Sequence, residues 1–245
     1  MLEILYQDSA LVVINKPSGL LVHKSSIDRE ETAFALQLVR DQIGAYVYAV
    51  HRLDKPTSGI LVFALTHEVA GRLSEMFREG EVQKEYLAIV RGYTAEEGEI
   101  DHPLKQMLDT KAQKRRGITQ EPKSAKTLYR RLGKVALPYP VSRYPSTRYS
   151  LVALYPKTGR KHQLRRHMKH IHHHLIGDTK HGRGEHNQFF RTQFGCHRLL
   201  LHAYQIRFIH PVTQVPLEIT APLDPIFNTI VQKLFPEVSE EIANF

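Results

Sequence analysis

The run His51-Arg52-Leu53-Asp54-Lys55-Pro56-Thr57-Ser58-Gly59, followed at once by Ile60-Leu61-Val62-Phe63-Ala64-Leu65, constrains the chain more than any other stretch. An apolar run of this length bounded by turn formers predicts a buried strand. Pro56 fixes its own φ and pushes Lys55 into an extended conformation, while Thr57-Ser58-Gly59 supplies a tight turn. Asp54, between Arg52 and Lys55, is therefore carried on a stiff loop leading into a strand. That is a good mount for a nucleophile, because loops held by a rigid scaffold carry most catalytic groups. The same spacing also suits a plain hairpin corner in which Asp54 accepts bonds from nearby amides.

The flanking sequence supplies short strands and helices in alternation. Leu2 to Tyr6 and Ala10 to Ile14 are β-type runs joined by Gln7-Asp8-Ser9, and Asn15-Lys16-Pro17-Ser18-Gly19 forces a turn. Thr32 to Ile43 carries apolar residues at 36, 39 and 43, a helical stripe that Gly44 ends, and Tyr46 to Val50 is a short strand. Thr66 is placed to cap a helix with Val69, Leu73, Met76 and Phe77 on its apolar face and Gly80 as its stop. Residues 83 to 91 read as a central strand, apolar on both faces. Residues 105 to 126 hold Lys105, Lys111, Lys114, Arg115, Arg116, Lys123 and Lys126 with no clear period, the pattern of an exposed basic loop that contacts phosphate.

Further on, residues 127 to 133 and Thr147 to Tyr155 have strand character. Leu164, Met168, Ile171 and Leu175 recur at helical spacing, leaving Arg165 and several histidines on other faces. The polar segment from Gly182 to Gln193 is expected to be mobile or to close over substrate. Strands at 199 to 210 and 215 to 220 follow. Asp224 as cap, Pro225 at the first position, and Ile226, Ile230 and Leu234 on one face predict the final helix. With no repeat and no linker in 245 residues, one catalytic domain is the simplest organisation.

Charge and cysteine usage narrow the function classes. Lys and Arg number 34 against 25 Asp and Glu, a surplus of 9 that favours an anionic partner, most often nucleic acid. No apolar run approaches the ~20 residues that span a bilayer, and a single cysteine excludes an internal disulfide and a cysteine zinc cage. These features predict a cytoplasmic protein. His162, His167, His170, His172, His173 and His174 crowd one segment, and His170 with His174 has the i, i+4 spacing of a helical zinc chelate. No third ligand is identifiable, so a weakly cationic surface near RNA is the better reading and metal-dependent hydrolysis the runner-up.

The HRLDKPTSG run resembles the signature of the RluA-type pseudouridine synthases. Asn15-Lys16-Pro17-Ser18-Gly19, Lys84-Glu85-Tyr86-Leu87-Ala88-Ile89-Val90 and Thr158-Gly159-Arg160-Lys161-His162-Gln163-Leu164-Arg165 match the same family in the same order. Gly177-Asp178 and Leu199 to Ala203 complete a likeness that covers about residues 1 to 220. MLEILYQD at the start and residues 143 to 167 look like its TruC-type branch, the tRNA pseudouridine-65 synthases. The implied fold is α+β: a mixed, mostly antiparallel sheet with flanking helices and a central active-site cleft. The motif at Asn15 comes so early that no separate N-terminal RNA-binding domain is expected.

By resemblance the chain is an isomerase that detaches uracil, turns it and rejoins it through C5, needing no cofactor and no metal. Asp54 is implied as the catalytic carboxylate, attacking C1′ or removing a C2′ proton; both routes stay open. Arg165 is implied as its cation and Tyr86 as the ring against the detached base. The resemblance likewise implies that Arg52 enters the RNA stack when the target leaves it and that Leu164 packs on the base's other side. The implied partner is tRNA, with ribosomal RNA as the alternative and a non-catalytic RNA-binding protein as the reading from another class. No membrane and no obligatory protein partner are expected. Lys55-Pro56 departs from the Arg-Asp of many members, so position 56 carries no catalytic assignment.

Overall fold

The computed structural model describes residues 1–23, 33–107, 121–141 and 144–243. Strands β1 (Glu3–Gln7) and β2 (Leu11–Lys16) form the expected hairpin, turned by Asp8, whose Oδ1 accepts from the amides of Ala10 at 2.7 Å and Leu11 at 2.8 Å. Helix α1 (Ala35–Ile43) ends on left-handed Gly44, and β3 (Tyr48–Ala49) is shorter than the sequence suggests. Strand β4 (Ser58–Ala64) is buried along its whole length. Ile60, Leu61, Val62 and Phe63 are at most 2 % exposed, and burial of four such side chains contributes roughly 6–12 kcal/mol as an upper estimate. Helix α2 (His67–Glu79) begins at Thr66, whose hydroxyl accepts from Val69 N, and stops at left-handed Gly80.

Strands β5 (Gln83–Arg91), β6 (Glu97–Asp101), β7 (Lys126–Leu137) and β8 (Thr147–Pro156) follow, then β9 (Leu201–Ile209) and β10 (Pro216–Thr220). They form one sheet in the order β1-β2-β4-β9-β5-β8-β7-β6, with β3 added on β4 and β10 on β9. Every pairing is antiparallel except β4 with β9, where Ser58 lies opposite His202 and Gly59 opposite Ala203. That short parallel seam joins two half-sheets. Gly59 makes it possible: at φ +104° any Cβ would meet the Ala203 carbonyl oxygen at 2.2 Å. One core packs α1 and α2 on the first half, and two further clusters cover the opposite faces of the second.

The second half corrects several sequence expectations. Helix α3 (Gln163–His170) stops at His170, because His172 turns left-handed at φ +63° and Leu175 leaves to bridge Val90 in the sheet core. His170 and His174 therefore share no helix face; His170 stacks on His102 with ring centroids 3.7 Å apart. The Gly182 to Gln193 segment is no open lid. Most of it is helix α4 (Gly184–Phe194), which buries Phe190 together with His186 and Asn187. Its buried polar positions, each with a partner, hid the helix from a hydrophobic pattern. In α5 (Pro225–Leu234) Asp224 caps as expected and Ile230 and Leu234 are buried with Ile226 packed half-buried against the same core, which Phe227 and Val231 also enter, and a further helix, α6 (Pro236–Ala243), follows. Within the basic stretch, Lys126 is tied to Glu99 at 2.8 Å, while Lys111, Lys114, Arg115 and Arg116 lie outside the described residues.

Candidate active site

Asp54 is held by three segments that the sequence keeps far apart. The Asn15–Gly19 turn clamps its loop: Gly19 N donates to Lys55 O at 2.8 Å and Ser18 Oγ to Pro56 O at 2.7 Å. Fully buried Lys16 points its Nζ at three carbonyls, those of Leu20 (2.8 Å), Pro17 (2.9 Å) and Lys55 (3.2 Å). Burial, then Arg198, pulls its pKa down to about 7 against the opposing charge of Asp54. On the strand side, Ser58 Oγ bonds to His202 Nδ1 at 2.7 Å and accepts from Arg198 Nη2 at 2.8 Å. His202 Nε2 donates to Ala221 O at 3.1 Å, so Nδ1 is the bare nitrogen and Ser58 donates to it. The loop is fixed at both ends.

The third segment supplies the cation. Gln163 spends its whole side-chain amide on fixing the start of α3: Oε1 accepts from Thr158 Oγ1 (2.7 Å) and Arg160 N (3.0 Å), and Nε2 donates to Lys126 O and Thr127 Oγ1, both at 3.0 Å. Two residues on, Arg165 donates Nη1 to Asp54 Oδ2 at 2.9 Å and makes a bidentate pair with Asp178 through Nε and Nη2, each at 2.8 Å. Its side chain is 4 % exposed. A cation in a helix's first turn opposes the macrodipole, and the two carboxylates on it reverse that. Burial pulls the guanidinium down, but Asp178 and then Asp54 outweigh it and hold it charged.

Asp178 belongs to the Gly177-Asp178 pair that completes the sequence likeness, but the sequence reading gave it no role in the site. Gly177 has φ +78°, and a Cβ there would meet Arg198 O at 1.8 Å, so glycine alone lets this turn reach Arg165. Asn187 of α4 secures it, accepting from Gly177 N at 2.8 Å and donating to Asp178 O at 2.9 Å. The amides of Lys180 and His181 both donate to Asp178 Oδ1 at 2.9 Å. His162, also missed, lies with Nε2 3.9 Å from Asp54 Oδ2.

Together these elements wall a cleft of about 710 Å³ lined by all five site residues expected from the sequence: Arg52, Asp54, Tyr86, Leu164 and Arg165. Leu164 is buried, Arg52 is exposed, and Tyr86 stands on β5 in the cleft wall. Burial, with Asp54 adding to it, raises the Tyr86 phenol well above its ordinary value, so it stays protonated. Lys84, Lys105, Lys123, Lys157, Arg160, Lys161 and Arg166 rim the same cleft, a positive border suited to a phosphate backbone. His51 is structural: its Nε2 accepts from Val62 N at 3.0 Å and its ring stacks on Phe77 at 4.6 Å. A second concavity of about 670 Å³ lies on the other face of the second half-sheet, where burial raises the Glu85 carboxyl above its ordinary value against the opposing pull of Arg130, Arg207 and a hydrogen bond with Tyr155.

The sequence profile described as RNA pseudouridylate synthase matches residues 10–170. A protein named tRNA pseudouridine synthase C from Vibrio vulnificus (strain CMCP6) is 52% identical over 233 residues, covering 95% of each chain. One of the same name from Pasteurella multocida (strain Pm70) is 55% identical over 223 residues, 91% of this chain and 92% of its own. Among solved structures, human RNA pseudouridylate synthase domain containing 1 superposes with a TM-score of 0.70 at 25% identity, covering 100% of this chain and 96% of the other. Human RNA pseudouridylate synthase domain containing 4 gives 0.68 at 28% identity, over 95% and 92%.

Proposed function

Because the chain belongs to the RNA pseudouridylate synthase family, we propose that it isomerises uridine 65 of tRNA to pseudouridine with Asp54 as the catalytic carboxylate, acting as a single catalytic domain. The observation that carries this reading is the Asp54–Arg165–Asp178 chain at the centre of a basic cleft. The near-full-length relatives named tRNA pseudouridine synthase C supply the substrate class.

In the reaction the bond from C1′ to uracil N1 breaks, C1′ bonds to C5, the C5 proton leaves and N1 takes one up. Asp54 acts as its carboxylate, attacking C1′ or taking the C2′ proton, and Arg165 Nη1, 2.9 Å from Oδ2, holds it in place for either step. Asp178 balances Arg165, so the guanidinium is drawn to Asp54 without being free to swing away. Tyr86, protonated across the working range, presents its ring to the detached base, and Leu164 covers the other side. Arg52, exposed at the cleft, fills the place that the extruded nucleotide vacates, offsetting part of an unstacking cost of a few kcal/mol. The stem substrate is read by shape and backbone, because A-form RNA hides its major-groove edges.

The test is to incubate the protein with unmodified tRNA and ribosomal RNA transcripts and map pseudouridine by carbodiimide-dependent reverse-transcription stops. A single stop at tRNA position 65 is expected. Stops in ribosomal RNA with none in tRNA would overturn the substrate assignment.

A further inference from the structure

We propose that His162 is a substrate-contacting residue whose Nε2–H binds the ribose 2′-hydroxyl of the target nucleotide beside Asp54, so that the site reads its target as RNA. This rests on the reading of Asp54 as the catalytic carboxylate.

His162 is built for a fixed task. It is one of the few non-glycine residues with a left-handed backbone (φ 53°, ψ 30°), at the entrance to α3. Its Nδ1 is 2.9 Å from His181 Nε2, and the His181 amide is itself bonded to Asp178 Oδ1 at 2.9 Å. The circuit Asp54, Arg165, Asp178, His181, His162 thus returns to where it began. A bare Nε2 on His162 would turn a lone pair toward the Asp54 carboxylate, so the arrangement selects the tautomer with the proton on Nε2 and with His181 donating to Nδ1. Burial, Arg165, His181 and Lys180, against the pull of Asp54, keep the imidazole neutral, with a pKa of about 4.

That N–H makes no hydrogen bond among the described residues. At 3.9 Å from Asp54 Oδ2 it is too far for one, yet one oxygen at about 2.8 Å from both atoms fits between them. Whichever route Asp54 takes, its carboxylate must reach C1′ or C2′ of the target ribose, and the 2′-hydroxyl is the oxygen attached there. That hydroxyl is also the group by which a site distinguishes RNA from DNA.

The experiment is a cycle of two proteins and two substrates. Wild type and His162→Asn are given tRNA carrying C5-tritiated uridine or 2′-deoxyuridine at the target position, and single-turnover kcat/KM is read from tritium release. Asparagine tolerates the left-handed backbone and offers His181 an acceptor, but it places no donor where Nε2 stood. Removal of the hydroxyl is expected to cost wild type about tenfold more than it costs His162→Asn, since the intrinsic effect of the hydroxyl cancels in the ratio. An equal penalty in both proteins would overturn the assignment. If His162→Asn does not fold, His162→Gln, which reaches the Nε2 position with an N–H, replaces it and is expected to keep the wild-type penalty; loss of the penalty there overturns the proposal. Wild type that releases tritium from neither tRNA would overturn the isomerisation reading itself, and this one with it.

Discussion

Asp178→Asn isolates the link on which the site depends. The Asp178 side chain is 1 % exposed and accepts four hydrogen bonds, two from Arg165 and one each from the amides of Lys180 and His181. Asparagine keeps the shape and one acceptor oxygen. If that oxygen stays on the two amides, the new NH₂ faces the Arg165 Nε–H, donor against donor. Breaking a buried ion pair by removing one partner costs about 3–5 kcal/mol, and the remaining Asp54 contact places this case near ~3 kcal/mol. Burial pushes the Asp178 carboxyl up, but Arg165 and the two amides outweigh it and hold it below the ordinary range. A depressed folded pKa gives stability that is full above the unfolded value of about 3.9 and is lost as pH falls through the folded one. Urea unfolding of wild type and Asp178→Asn should therefore show a constant gap from pH 7 down to about 4.5 that narrows below about 4. Single-turnover tritium release should fall at least about tenfold in kcat with tRNA binding little changed, because Arg165 is misplaced rather than removed. Unaltered stability and kcat in the variant would refute the reasoning.

Gly59→Ala should open the β4–β9 seam: its φ of +104° and the 2.2 Å approach to Ala203 O leave no room for Cβ, and a loss of at least about 3 kcal/mol by urea midpoint is expected. Tyr86→Phe should leave the shape of the kcat–pH profile between pH 7 and 9 unchanged, since the phenol does not ionise there; Tyr86→Ala should lose a further fivefold to hundredfold through the missing base stack worth ~1–3 kcal/mol. If about four of the cleft's basic side chains touch phosphate, tRNA affinity should drop about a hundredfold between 50 and 200 mM salt, read by filter binding.

What could be read in the sequence was local. The buried β4 run, the caps Thr66 and Asp224 and the glycine stop at Gly80 each depend on neighbours within a few residues, and each is found as expected. The Asp54 loop and its motif partners were recognisable as a pattern, yet their convergence rests on contacts across more than a hundred residues, as between Arg165 and Asp54. Periodicity failed where a long-range pairing overrode it: Leu175 fits the helical stripe but is taken by Val90. It failed again where a buried face is polar, as with His186, which accepts from Arg91 Nε at 3.0 Å and lies 2.8 Å from Tyr149 Oη. The histidines read as cationic surface divide by burial: His167 is buried between Thr127 and His102, and His162 stands in the cleft. Asp178 stood in the motif pattern without a role, because its pairing with Arg165 and the backbone demand of Gly177 against Arg198 are visible only in the fold.

Asp54, held by Arg165, is the group we propose isomerises a tRNA uridine. The most direct test is tritium release from C5-labelled tRNA transcripts by wild type and Asp54→Asn, a change that keeps the side chain's size while removing its charge. Stoichiometric release by wild type and none by Asp54→Asn, with tRNA binding equal in the two, is the expected result. Release at the wild-type rate by Asp54→Asn would contradict the account.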